Sequence, residues 1–144
     1  MAKSLLELAD SLERKAVAIE KSASKTAIDA ALAIVGDLVY KTPVDTSKAL
    51  SNWVATLESP AKESIMPHFP GIQGSTRNAS AAETLNQAKA VLKKKKPGQI
   101  IFITNNLPYI VRLNEGYSAQ APAGFVERAV LIGRKISEKF KIKE

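Results

Sequence analysis

The sequence predicts an α+β fold in which a long N-terminal helix precedes a small antiparallel sheet and two further helices. Three observations predict it: an apolar stripe of helical period running from Leu5 to Leu38, a β-branched run at Gln99–Thr104, and a proline-opened amphipathic stretch after Pro122. In the first stretch, apolar residues recur at Leu5, Leu8, Leu12, Ala16, Ile19, Ala23, Ala27, Ala30, Ile34 and Leu38. Steps of three and four put them on one helix face. Ile28, Leu32, Val35 and Val39 widen that face in the later half only, so burial should deepen toward the end of the helix.

A helix of about 35 residues is on the order of 52 Å long. A compact domain of this length is roughly 37 Å across. Unless it breaks near Ser22–Ser24 or kinks at Gly36, the helix therefore overhangs its own domain, and residues 1–20 should project as an assembly arm carrying Leu5, Leu8 and Leu12.

Thr42-Pro43 ends the helix, because the residue before a proline is pushed out of the α region. Asp45 or Thr46 then suits the cap of a short helical turn through Leu50. Asn52–Glu58, with Trp53, Ala55 and Leu57 alternating against Asn52, Val54, Thr56 and Glu58, reads as a strand with one buried face. Ser59-Pro60 stops it, and Pro67, Pro70, Gly71 and Gly74 continue a stretch of loop chemistry, so that 59–80 is expected to be flexible. Ala81–Lys96 reads as a helix with Leu85, Ala88 and Leu92 inward, halted by Pro97-Gly98. Gln99–Thr104 is the strongest strand, expected to be central and to pair with the strand of Trp53. Leu107–Asn114 forms a short helix opened by Pro108, with Gly116 suited to a left-handed cap. Ala123–Lys141 completes the chain with Phe125, Ala129, Ile132, Ile136 and Phe140 inward.

Composition sets limits on function. The chain of 144 residues is the size of one domain, 1–144, and its 45% hydrophobic and 24% charged residues are those of a folded globular protein. It has no cysteine, which excludes disulfides, thiolate metal sites and thiol nucleophiles, and fits assembly in a reducing cytoplasm. The N-terminus lacks the apolar run of a signal peptide or membrane span. His68 is the only histidine and stands in loop sequence without a cluster of other ligands, so no metal or cofactor is expected. No Gly-x-Ser-x-Gly turn or phosphate loop occurs, and the chain reads as non-enzymatic. The net charge of +7 raises the question of an anionic partner. Lys93–Lys96 and the basic residues from Arg134 onward lie at expected helix ends, however, where cations complement the helix dipole.

Two segments carry a resemblance. Thr42-Pro43-Val44-Asp45-Thr46-Ser47, continuing to Ser51-Asn52-Trp53, resembles the Thr-Pro-Val-Asp-Thr-Gly-Arg and Ser-Asn-Trp signature of the tail-completion and neck proteins of long-tailed bacteriophages. Asn106-Leu107-Pro108-Tyr109, followed by Glu115-Gly116 and Ser118-Ala119-Gln120-Ala121-Pro122 before Phe125, resembles a second segment of the same family. Ser47 stands where that family commonly has glycine, and Leu50 where it often has a basic residue.

The resemblance implies a non-enzymatic virion protein, assembled in the host cytoplasm, that forms a ring, commonly sixfold, at the head–tail junction. Its partners would be further copies, other neck and tail proteins, and DNA passing the channel, without a membrane. Pro43, Asp45, Thr46, Trp53, Asn106, Pro108, Tyr109, Glu115, Gly116, Gln120, Pro122 and Phe125 are then motif residues with candidate roles at an interface. Trp53, Tyr109 and Phe125 equally suit core packing. The competing function is a basic nucleic-acid-binding accessory protein, although no aromatic residues interleave the lysine run and no recognisable nucleic-acid motif is present.

Overall fold

The first helix starts where its chemistry dictates. Ser4 Oγ accepts the Glu7 amide proton at 3.2 Å, and the Glu7 carboxylate accepts that of Ser4 at 3.4 Å, a reciprocal capping box that opens α1 (Leu5–Lys41). In this computed structural model, which describes residues 4–116 and 123–140, α1 runs through Ser22–Ser24 and Gly36 without interruption. Its 37 residues span about 55 Å. Thr42, extended ahead of Pro43, ends it.

The remaining elements wrap the C-terminal half of α1. They are α2 (Lys48–Ser51), β1 (Val54–Leu57), α3 (Arg77–Leu92), β2 (Ile101–Thr104), α4 (Ile110–Asn114) and α5 (Phe125–Glu138). The architecture is the expected α+β one, with a long first helix, a two-stranded antiparallel sheet and two further long helices, α3 and α5. Val54 pairs with Thr104, Ala55 with Ile103, Thr56 with Phe102 and Leu57 with Ile101. Ala55 and Ile103, directly opposed, therefore share the inward face.

Two apolar clusters meet at Ile103. One joins Val35 and Val39 of α1 to Val44, Leu50, Ala55, and Ala81 and Ala88 of α3. The other joins Leu38 to Trp53, Phe125 and Ala129. On α5 the buried stripe is Phe125, Ala129 and Gly133, at steps of four. The missing side chain of Gly133 is what lets α5 lie close on α1: a Cβ there would stand 2.4 Å from Ile34 Cδ1 and 3.3 Å from the carbonyl oxygen of Ala30.

Several boundaries differ from the expectations. Neither Asp45 nor Thr46 caps α2; its N-terminal residue is Ser47, whose left-handed backbone (φ 68°) turns the chain without a side-chain cap. Asn52 and Trp53 lie before the strand, not in it, because Asn52 still closes the turn of α2. β2 is not central, since β1 is its only partner among the described residues. α3 begins at Arg77 and ends at Leu92, so the last residues of the expected loop are helical while Lys93–Lys96 follow the helix. Ile132 is exposed and Gly133 takes the inward place, because the closest approach of the two helices admits no larger residue there.

The stretch between β1 and α3 has no regular element before Arg77, yet side chains hold it at several points. Asn52 donates to the carbonyl of Ile65 at 2.9 Å and accepts from its amide at 2.7 Å. Ser51 Oγ accepts from His68 N, and Ser80 Oγ both accepts from Phe69 N and donates to Phe69 O. Asp45 accepts the amide protons of Gln73, at its carboxylate, and Gly74, at its carbonyl. These are turn-type side-chain bonds of the kind that polar residues make in loops.

Candidate assembly site

The residues of the two sequence motifs come together: the first lies mostly inside, whereas the second is mostly exposed apart from Leu107 and Phe125. Thr42 Oγ1 donates to the carbonyl of Leu38 at 2.6 Å and accepts from Trp53 Nε1 at 2.8 Å, so the buried indole is locked to the end of α1. Trp53, from the first motif, and Phe125, from the second, share the cluster around Leu38. Pro43 is buried beside them in sequence, and Ser47 Oγ lies 2.9 Å from Thr76 Oγ1. Asn106 donates to the carbonyls of Ala61 and Glu63, gripping from the second motif the segment that Asn52 grips from the first.

Asn114, placed at the C-terminal end of α4, ties the second motif to α5: its amide nitrogen donates to the Glu127 carboxylate, its Oδ1 accepts from Val126 N at 2.9 Å, and its carbonyl accepts from Gly124 N. Gly116 has the left-handed φ of 93° expected of it. Thr46, Pro108, Tyr109 and Glu115 are exposed. Gln120 and Pro122 lie outside the described residues. Trp53 and Phe125 thus serve the core, whereas Thr46, Pro108, Tyr109 and Glu115 remain available to a partner.

The largest uncovered surface is elsewhere. From Ser4 to Ala23, every residue of α1 is exposed except Ser11 and Ile19, which are half-buried, and the first buried one is Ser24. Leu5, Leu8 and Leu12 are 85%, 47% and 58% exposed. About 30 Å of helix therefore stands clear of the domain. Ser24 marks the point of entry, where Lys95 Nζ donates to its hydroxyl at 2.8 Å.

Beside that point lies a groove of about 300 Å³. Ala27, Ala30, Ala31 and Ile34 of α1 form its α1 side, and Ile101 and Ile103 of β2 its sheet side. Lys95, Gln99 and Ser137 are its polar lining. The sequence reading missed this feature; its visible signal was the run of small residues at Ala27, Ala30 and Ala31, where bulkier side chains would have filled the space.

Among the described residues, no group of three His, Cys, Asp or Glu side chains could hold a metal ion. The His68 imidazole is held below its ordinary pKa by burial, with the Glu83 carboxylate pulling in the opposite direction. Burial also raises the Tyr109 phenol above its usual value. No helix among the described residues is long and apolar enough to cross a membrane. Compared with protein-family models, curated proteins and solved structures, the chain matches none.

Proposed function

We propose that the chain is a non-enzymatic structural protein that forms a ring at the head–tail junction of a long-tailed phage, as a tail-completion or neck component. The observation that carries this reading is the projecting half of α1, a capped helix with an exposed leucine stripe. Left in water, such a stripe favours association, since covering each leucine contributes on the order of 1.5–3 kcal/mol before ordering costs. A helix reaching away from its domain meets a different surface on the next copy, the heterologous contact from which rings are closed.

The turn at Ser47 adds support. Its left-handed backbone is the conformation glycine adopts without strain, and glycine is what the resembling family commonly has there. Leu50, by contrast, is fully buried, so that position serves the core in this chain.

Size-exclusion chromatography with light scattering over a range of concentration and salt, followed by electron microscopy, tests the proposal. A discrete closed oligomer that survives moderate salt is expected. A persistent monomer that binds DNA with affinity falling steeply with salt would instead identify a nucleic-acid-binding accessory protein.

A further inference from the structure

We infer that the groove between α1 and β2 receives the Leu5, Leu8 and Leu12 stripe of a second copy of this chain. The inference rests on the ring reading above and names the two surfaces that meet. The groove is at the lower end of ligand-sized pockets, roughly 300–1,000 Å³. Its lining is alanine and isoleucine, with Lys95, Gln99 and Ser137 as the polar groups, which is a surface for aliphatic side chains.

The chain's own arm cannot fill it. Leu8 and Ala27 belong to one unbroken helix and stand about 28 Å apart along its axis. A leucine stripe that enters the groove must therefore come from another molecule.

Charge points to a second copy as that molecule. Between Ser4 and Glu13 there are three carboxylates, Glu7, Asp10 and Glu13, and no lysine or arginine. With +7 on the whole chain, the remainder carries +10 against the −3 of this stretch. Lys95 is among the groove's lining residues, and Lys93, Lys94 and Lys96 are exposed next to it in sequence. Glu7 and Asp10 lie on the side of the helix away from the leucines, so these charges steer the acidic tip of the arm, which ends at Arg14 and Lys15, toward a basic body and do not themselves enter the groove.

Because the chain has no native cysteine, engineered pairs report the contact cleanly. The full chain carrying Leu8→Cys and Ile101→Cys is compared under mild oxidation with one carrying Leu8→Cys and Lys62→Cys, the latter an exposed position away from the groove. A ladder of disulfide-linked species from the first pair, at least roughly tenfold stronger than from the second, is expected. Gln99→Cys provides the same measurement from a polar lining position outside the two core clusters, should Ile101→Cys disturb the fold. If the protein assembles but both groove pairs cross-link no better than the control, the arm docks elsewhere; this inference is then wrong and the ring reading stands. A chain that stays monomeric at every concentration overturns both.

Discussion

Thr42 carries two buried hydrogen bonds on one hydroxyl, and its loss should be felt at both partners. In Thr42→Val the Trp53 indole N–H is left buried without an acceptor, which costs about 1–3 kcal/mol. Trp53→Ala, which empties part of the cluster around Leu38 and Phe125, costs more, about 3–5 kcal/mol. Chemical denaturation should rank the two variants in that order, and equal stability of Trp53→Ala and the parent would contradict the packing described. At Ser47 two effects separate. Ser47→Ala keeps the left-handed strain and loses the bond to Thr76, while Ser47→Gly loses the same bond but relieves about 1–2 kcal/mol of strain. The glycine variant should therefore melt above the alanine one. His68 gives a weak dependence on pH. Its folded-state pKa lies below the ordinary imidazole value of 6.5, so between the two values the unfolded chain binds more protons and stability falls as pH falls. Replacing His68 with asparagine should flatten that slope, read from melting temperatures on either side of pH 6.5.

At the level of elements, the crossing of α1 and α5 depends on a residue with no side chain. Gly133→Leu must push Ile34 aside and separate the helices, an overpacking cost of about 1–3 kcal/mol. Gly133→Ala should cost less than the leucine variant but still destabilise, since even one Cβ must displace Ile34, and the gain of about 1 kcal/mol in helix propensity offsets only part of that. Thermal melts of the two variants check this contrast, and an unchanged leucine variant would show that the helices do not meet there. The same crossing shows what could and could not be read in advance. The period of α1 and the β-branched run of β2 were legible because each follows from a repeat in the chain. Ile132 was misassigned because periodicity places it and Gly133 near one face, and only the distance between helices decides which of them fits. Asp45 looked like a cap because Asp often caps a following helix; its partners, Gln73 and Gly74, are far away in sequence. The arm of the candidate site was legible from helix length against domain size, whereas the groove was not, since it is defined by space between elements and not by a pattern within one.

For the whole molecule, surface area tells the same story as the arm. A compact monomer of 15.5 kDa exposes roughly 7200 Å² by the usual scaling. This chain exposes 9591 Å². The excess is of the order that a stable interface buries. Replacing Leu5, Leu8 and Leu12 together with serine should leave monomer melting nearly unchanged, because none of the three is buried, while association measured by sedimentation weakens by at least roughly tenfold. Loss of tertiary structure in the triple variant would place those leucines in a core instead. The continuity of α1 has one more effect. Because the arm and the body share a single helix, the direction in which the leucines face is geared to the body by the helical phase. One residue inserted between Ile19 and Ser24 would rotate the stripe by about 100° and advance it by 1.5 Å. Seven inserted residues would bring it back to within about 20° while lengthening the reach by about 10.5 Å. If the proposed ring forms, assembly should thus fail with one inserted residue and return, at an altered spacing between copies, with seven.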